Sequence, residues 1–234
     1  MASSSANGSS WAMRLGLAAV VAFVIGPALA HLGIVPSLIG FAIFGVGGLL
    51  GLIATVVGVI GALRSRSSWL AIVPGAVIVV SFIAIASRGA GYPRINDITT
   101  DFEPPPVFRQ AFQLPANRGR DMRYPGATFW QQQRAGYPNL TNLILTTSPD
   151  ETYQRVLAMA RTVPNWELTL TEPETRAIEG VETSWLFRFQ DDFAIEVRPH
   201  SNGSQVAMRS KSRDGKGDLG VNAKRIETFF AKLK

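Results

Sequence analysis

The chain contains no cysteine, and its first third contains no acidic residue. The first absence excludes disulfides and metal sites built on thiolates, and it is compatible with any redox compartment. All 17 Asp and Glu residues follow residue 87, as do 20 of the 23 Lys and Arg residues. Before that point the only charged side chains are Arg14, Arg64 and Arg66. The sequence therefore joins an apolar third to a charged, water-compatible two-thirds, with the segment 69–87 as the junction.

Patterns that signal catalysis or nucleic-acid binding are also missing. The nucleophile elbow GxSxG does not occur, and Gly215-Lys216-Gly217 lacks the spacer and the Ser or Thr of a phosphate loop. The net charge of +6 is divided evenly between the two parts, and there is no basic stripe with interleaved aromatic residues. We therefore expect neither an enzyme nor a nucleic-acid-binding protein, and we predict no catalytic residue, cofactor, metal ion or small-molecule substrate.

Two groups of polar residues allow a functional interpretation as well as an ordinary one. Asp97, Asp101 and Glu103 could hold a divalent cation, because hard cations take oxygen ligands. The ordinary interpretation is that they cap turns. His31 could ligate a haem or a chlorin, whereas its ordinary role would be an interfacial histidine solvated by headgroups. We favour the ordinary role for both groups.

Two charged runs later in the chain also allow both a functional and an ordinary interpretation. Asp191-Asp192 could pass for a catalytic carboxylate pair, but neighbours in an extended hairpin point apart, and a turn is predicted here. The basic residues at 209, 211, 213 and 216 could contact anionic headgroups or the acidic face of a partner. A run of charges is more often a solvated edge, which is the prediction adopted here.

Three apolar runs, at 15–35, 37–63 and 69–87, lie within a membrane part that we delimit as 11–87. About 20 apolar residues at ~1.5 Å each span the hydrocarbon core, so each run is long enough to cross a bilayer. Backbone groups in lipid must find hydrogen-bond partners within the segment, so the runs are predicted to be transmembrane helices. The preceding tail, 1–10, is small and polar and is predicted to be disordered.

The arginines predict an orientation. Arg14 precedes the first helix, and Arg64 and Arg66 lie in the second loop, so the positive-inside rule places the amino terminus and that loop in the cytoplasm. Residues 88–234 then lie on the periplasmic side of a bacterial inner membrane. One alternative stays open: the first run also fits a cleaved signal peptide, with Ala28-Leu29-Ala30 as its small-residue site.

A stripe of small residues runs along the second helix. Gly40, Gly47, Gly51 and Gly58 recur at spacings that place them on one helical face, together with Phe44 and Ala54. Small residues allow helix backbones to approach closely, so this face is predicted to pack against another helix. The partner is either another helix of this chain, which we favour, or a helix of a foreign membrane subunit.

The soluble part divides at residue 148. Residues 88–147 hold seven of the 14 prolines, which favours an extended arm over long helices, and their many aromatic residues predict that the arm wraps the domain that follows. Residues 148–234 read as an α+β domain. Ser148-Pro149 begins a helix with a serine cap and a first-turn proline, and Asp218 is predicted to cap a final helix that buries Val221 and four later apolar residues.

Four runs of alternating apolar and polar residues lie between these helices. They start at Trp166, Trp185, Phe193 and Gln205, with turns predicted at 190–192 and 201–203. The pattern predicts an antiparallel meander with one buried face, covered by the two helices.

Several motifs in this part occur together and in a fixed order. They are PRINDITTD at 93–101, a later Tyr-Pro element, FRFQDD at 187–192, RSKSR at 209–213 and DLGVNAKRI at 218–226. In these motifs residues 92–234 resemble the bacterial family called domain of unknown function 1499, some members of which carry membrane helices ahead of the domain. The resemblance implies a bacterial envelope protein and supplies no catalytic residues.

From these features we expect a non-enzymatic inner-membrane protein. Its partners would be the lipid bilayer and other membrane subunits, and its role would be that of an accessory or scaffolding subunit of a larger, for instance energy-converting, complex. The alternative is an envelope domain that encloses a small apolar ligand such as a lipid. A large apolar pocket between the sheet and the final helix would favour the alternative.

Overall fold

The computed structural model describes residues 3–64 and 66–234, which divide into two compact units. The first unit comprises Met1–Ala90 together with the short segment Trp185–Arg188. The second comprises Gly91–Ser184 and Phe189–Lys234. The boundary at residue 90 lies close to the change in composition found in the sequence, whereas the assignment of Trp185–Arg188 to the first unit was not predicted.

Three long helices form the first unit. They are α1 (Ser3–His31), α2 (Ser37–Arg64) and α3 (Val73–Ala86), with a 3-10 turn at Arg66–Ala71 before α3. Three stretches are long and apolar enough to cross a membrane, at Ser10–His31, Ser37–Arg64 and Trp69–Ala86. The three predicted apolar helices are therefore confirmed. Because α1 begins at Ser3, the tail predicted to be disordered is helical from that residue on, and residues 1 and 2 lie outside the described part of the chain.

The glycine stripe of α2 lies against the other helices of this unit. A Cβ atom on Gly40 would lie 2.5 Å from the Cβ of Ala30, and one on Gly47 would lie 2.6 Å from the amide nitrogen of Phe23, both in α1. A Cβ on Gly51 would meet Ile78 of α3 at 2.8 Å. Gly58 is placed in the same way against Ile72, just before α3, again at 2.8 Å. In the described part of the chain these glycines lie at close contacts between helices of the same chain.

The second unit is a six-stranded antiparallel sheet with helices packed on it. Its elements in chain order are β1 (Asp97–Thr99), α4 (Ala127–Gly136), β2 (Leu143–Leu145), α5 (Pro149–Ala160), β3 (Trp166–Glu172), β4 (Ala177–Thr183), β5 (Gln190–His200), β6 (Gly203–Ser212) and α6 (Val221–Leu233). The strand order is β1-β6-β5-β4-β3, and β2 also pairs with β6. The predicted α+β class is confirmed, and the arm contributes β1 and β2 to the sheet.

One strand prediction and one turn prediction were wrong. The second strand is β4, at Ala177–Thr183, whereas the run from Trp185 to Phe189 is a loop. The stretch predicted as a turn at 190–192 is the beginning of β5, in which Asp191 pairs with Ser212 and Asp192 with Lys211. The turn after His200 is confirmed, since His200 pairs directly with Gly203 across the hairpin.

The two predicted helices cover one face of the sheet. Ser148 caps α5 by accepting a hydrogen bond from the amide of Glu151, and Pro149 occupies the first turn, as predicted. The residues that α5 and α6 bury against the strands include Tyr153, Val156, Leu157, Ala160, Ile226, Phe229, Phe230 and Leu233. Val221 departs from the prediction because it is 47% exposed.

The opposite face of the sheet is buried as well, which corrects the prediction of a single buried face. The proline-rich arm covers it with a small apolar cluster of Phe108, Ala111 and Met122 against Ala194 of β5. Most of what the sheet presents on this side is charged or polar. The arm therefore acts as a third layer, and its contacts with the sheet are ionic more than apolar.

Candidate functional site

The charged layer between the sheet and the arm is centred on Arg209 of β6. Its Nε donates to Oδ1 of Asp97 at 2.8 Å, and its Nη2 donates to Oδ2 at 2.7 Å. The same guanidinium donates to the carbonyl oxygen of Met122 and lies 4.5 Å from the ring centroid of Phe108. Arg209 is 2% exposed, so each polar atom needs a partner, and the arm and β1 supply them.

Glu179 of β4 holds the arm at a second point. Its carboxylate accepts hydrogen bonds from three consecutive backbone amides, those of Arg109, Gln110 and Ala111, the last two at 3.0 and 2.8 Å. The side chain is 1% exposed. Burial raises the pKa of this carboxyl above its ordinary value, and the three amide donors act in the opposite direction. The arrangement uses the carboxylate for binding the chain's own backbone.

Asp191 and Asp192 point to opposite faces of β5. Asp192 accepts from Nε and Nη2 of Arg213 at 2.9 and 2.6 Å, and from Nδ2 of Asn117 in the arm at 2.9 Å. Asp191 accepts from Nη2 of Arg225 in α6 at 2.5 Å. The two carboxylates therefore bind different partners and do not form a catalytic pair, as the alternation of a strand requires.

Arg225 is the centre of a second ionic cluster, between the sheet and α6. It donates to Glu182 of β4 through Nε at 2.6 Å, in addition to its bond with Asp191, and Glu182 also accepts from Nε1 of Trp166 at 2.6 Å. Burial alone would lower the pKa of Arg225, but the facing carboxylates of Asp191 and Glu182 outweigh it and raise the pKa. Arg225 remains charged, and this charge forms part of the floor of a groove.

That groove lies between α6 and the chain leading into β3, and it measures about 310 Å³. Its apolar wall is formed by Val163, Pro164, Trp166, Val221 and Phe229. Lys224 and Lys232 stand exposed at its rim, and Arg225 and Glu182 lie on its floor. We call it the α6 groove. It combines exposed apolar surface with a surplus of positive charge.

A second groove, of about 630 Å³, lies along the other side of α6. It shares Lys224 and Thr228 with the first groove and is lined on its far side by Tyr92, Tyr137 and Pro138. The hydroxyl of Tyr137 is buried without a hydrogen-bond partner, and burial raises the pKa of this phenol. The groove is larger in volume and more polar than the α6 groove.

Asp97 and Asp101, two of the three residues singled out as metal candidates, are ion-paired with basic side chains. Asp97 is bound to Arg209 and Lys211, and Asp101 accepts from Arg198 and from Asn142. Within 3–64 and 66–234 no group of three or more His, Cys, Asp or Glu side chains is placed to hold a metal ion.

His31, the candidate ligand for a haem or a chlorin, forms a hydrogen bond with the backbone. His31 donates from Nδ1 to the carbonyl oxygen of Trp185 at 2.7 Å.

In the basic run, Arg209 and Arg213 are buried in ion pairs, which corrects the prediction of a solvated edge, whereas Lys216 is exposed as predicted. Asp218 accepts from the amides of Gly220 and Asn222 at the start of α6, although the cap position itself is Gly220.

Sequence reasoning missed two buried residues that hold the ionic clusters together, Glu179 and Arg225. A signal for Glu179 was present, since it lies within the apolar run AIEGV, where an acidic side chain needs a buried partner. For Arg225 the available signal was its place between Ala223 and Ile226, on the apolar side of the final helix.

A family of known proteins matches almost the whole of the second unit. The family described as "Protein of unknown function (DUF1499)" matches residues 97–233, which is more than half of the chain and runs from the first residue of β1 to the end of α6. A comparison with curated proteins finds no match. The expectation drawn from the motifs is confirmed over this range. The chain belongs to the DUF1499 family.

Proposed function

We propose that this chain is a non-enzymatic accessory subunit of a membrane complex in the bacterial inner membrane, with residues 88–234 on the periplasmic side. Its docking surface is the α6 groove. The occupant is an acidic segment of a partner membrane subunit that inserts an apolar side chain between Trp166 and Val221.

The observation that carries this proposal is the combination of charges and apolar surface in the α6 groove. Lys224 and Lys232 are exposed and, together with Arg225, outnumber the one carboxylate of the groove, that of Glu182. Trp166 and Val221 leave apolar surface open between them, and Val221 is 47% exposed although the helical pattern would bury it. An anionic segment with an apolar anchor complements both properties.

A rigid frame also supports a docking role. The side chains that line the floor, Arg225 and Glu182, are fixed by ion pairs and by the indole of Trp166. A partner that binds there meets a surface that is already organised, so little conformational entropy is lost when the complex forms. The space between the sheet and its helices is filled by buried side chains, so the alternative of an enclosed apolar ligand has less support.

The test is purification of the full chain from native membranes in mild detergent, followed by mass spectrometry of the proteins that co-migrate. Three forms are compared: the natural chain, the double variant K224E/K232E, and the control K216E, which reverses the charge of an exposed residue that does not line the α6 groove. We expect a stoichiometric set of membrane subunits with the natural chain and with K216E. The double variant should lose this set, and higher salt should weaken the natural complex.

Other outcomes separate the parts of the proposal. A set of subunits that persists with K224E/K232E contradicts the α6 groove as the docking surface and leaves the accessory role standing. A chain that purifies alone contradicts the accessory role. A chain that purifies alone with bound lipid supports the alternative of an apolar-ligand domain.

A further inference from the structure

The loop between β4 and β5 differs from an ordinary hairpin turn. Residues 184–189 read SWLFRF, with four large apolar side chains, whereas the next hairpin turns on the polar pair Ser201-Asn202. Hairpin turns usually take Gly, Asn, Asp or Ser. The four central residues, Trp185–Arg188, belong to the compact unit of apolar helices, although both flanking strands belong to the other unit.

The contacts of this segment lie where α1 ends and α2 begins. The carbonyl oxygen of Trp185 accepts from Nδ1 of His31 at 2.7 Å, and that of Arg188 accepts from Oγ of Ser37 at 2.9 Å. Arg188 is held with φ at 59°, which is uncommon for a residue other than glycine. The side chains of His31 and Ser37, at the ends of two apolar helices, thus bind the backbone of the loop at its first and last central residues.

Phe187 adds an apolar contact at the same place. Its ring meets the rings of Phe41 and Phe44 edge-on, with centroid distances of 5.3 and 5.5 Å. Phe41 and Phe44 lie in the first two turns of α2, within a stretch that is apolar enough to cross a membrane. Phe187 is therefore part of the apolar surface of the helical unit.

The two side chains at the tip of the loop, those of Trp185 and Leu186, are exposed. Trp185 is 69% exposed and Leu186 is 40% exposed. Around them the same end of the helical unit exposes Leu32 at 68% and Ile34 at 64%, and the connection between α1 and α2 carries no Asp, Glu, Lys or Arg. Tryptophan is enriched at membrane–water interfaces, where its ring contacts acyl chains and its N–H group contacts water or headgroups.

We propose that the β4–β5 loop is a membrane-inserted tip: Trp185 and Leu186 enter the boundary between headgroups and acyl chains of the lipid bilayer, beside the ends of α1 and α2. The occupant of this surface is lipid, because the tip continues the apolar surface of helices that are themselves long enough to span a bilayer. The chain thereby contacts the bilayer at a further segment, far along the sequence from α3. This inference does not depend on the proposed docking role of the α6 groove.

The absence of cysteine makes the test direct, since one introduced cysteine gives one label. The full chain is prepared as L186C and as N202C, an exposed residue in the polar turn at the other end of β5. Each is labelled with an environment-sensitive fluorophore and reconstituted into vesicles of phosphatidylcholine and phosphatidylglycerol. Quenching is measured with nitroxide-bearing lipids and, separately, with aqueous iodide.

We expect the label at position 186 to emit at shorter wavelength, to lose most of its emission to nitroxide lipid, and to be protected from iodide. The label at position 202 should show the opposite pattern. Labels that behave alike at both positions would overturn the proposal. So would a label at 186 that is protected from both quenchers, because that pattern means burial against protein.

A second measurement leaves the loop unlabelled. Brominated lipids quench tryptophans within their reach, so replacing Trp185 with phenylalanine should remove a quenchable fraction of the emission. The matched variant W166F, in the α6 groove, removes a tryptophan of the soluble unit. Quenching that is unchanged by W185F would contradict the insertion of Trp185, provided that both variants retain the circular dichroism spectrum of the natural chain.

Discussion

Arg209 and Asp97 form a two-point ion pair that water does not reach, although 112 residues separate them in the chain. Asp97 lies in β1, the first strand after the apolar helices, and Arg209 lies in β6, the strand that pairs with β1. The pair therefore links the start of the soluble unit to the centre of its sheet. Because the pair is buried, it supports the fold only while both charges are present. Removal of either partner leaves a buried charge without compensation, which is strongly destabilising.

Removal of one partner should destabilise the soluble unit severely. Replacing Asp97 with asparagine leaves the buried guanidinium of Arg209 without its counter-charge, and breaking such a pair costs about 3–5 kcal/mol. The double variant D97L/R209M removes both charges and should recover much of that loss. The measurement is the unfolding free energy of the full chain in detergent, followed by circular dichroism in denaturant.

The control for this prediction is D121N, which breaks the exposed pair between Asp121 and Arg123. Its effect should lie within experimental error, because water screens that pair. If D97N proves as mild as D121N, the buried pair does not support the fold. If the double variant is less stable than D97N, the unpaired charge is not the source of the loss.

The buried carboxyl of Glu179 should make stability depend on pH in a characteristic direction. Its pKa in the native state is raised above the ordinary value of 4.5 by burial, so between 4.5 and the raised value the native state binds more protons than the unfolded state. The stability that this group contributes is present below pH 4.5 and falls as the pH rises through its native pKa.

The comparison variant for this prediction is E179Q, which cannot titrate. The difference in unfolding free energy, natural chain minus E179Q, should fall as the pH is raised across that window and then stay constant. A difference that rises with pH would mean that the three amide donors outweigh burial and that the native pKa lies below 4.5. Denaturant titrations at a series of pH values supply the data.

Within the helical unit, two glycines of α2 provide a matched pair. A Cβ atom on Gly47 would lie 2.6 Å from the amide nitrogen of Phe23, whereas a Cβ on Gly45 would meet nothing within 4 Å. We expect G47A to lower the thermal midpoint of the helical signal in detergent, because α1 and α2 must move apart. G45A should leave it unchanged or raise it slightly, since alanine favours helix over glycine. Equal midpoints for the two variants would contradict close packing at Gly47.

The orientation predicted from Arg14, Arg64 and Arg66 can be checked with a reporter fused after Lys234. We expect alkaline phosphatase to be active at this position and a fluorescent protein that folds only in the cytoplasm to remain dark. Moving two of the arginines, for example by L32R/I34R together with R64S/R66S, should weaken or reverse this preference. A reporter that is active only in the cytoplasm would place residues 88–234 inside the cell.

The elements with strong local signals were predictable. The apolar length of the three helices, the serine cap at Ser148 and the alternation in β3, β5 and β6 depend on neighbouring residues, and the structure has them where the pattern indicates. The loop at Trp185 was mistaken for a strand because alternation describes which side chains are apolar and not what they contact. Phe187 is apolar because it meets α2, a segment more than a hundred residues away.

Local sequence patterns could not predict the ionic clusters either, because the partners in each cluster come from distant parts of the chain. Asp191 and Asp192 read as a turn because two adjacent carboxylates are rarely buried. They lie in a strand because each meets an arginine from a distant element, Arg225 on one face and Arg213 on the other. Predicting this requires knowledge of which elements meet across the sheet, and a single sequence does not provide it.

The pairing of β6 also has a consequence for the order of events during biosynthesis. One edge of β6 is occupied by β5, and the other is shared by β1, through Asp97–Thr99, and β2, through Leu143–Leu145. Both of these short strands leave the ribosome long before β6 exists. The sheet can close only when nearly the whole chain has been made, so β1 and β2 have to remain without their strand partner until β6 has been synthesised.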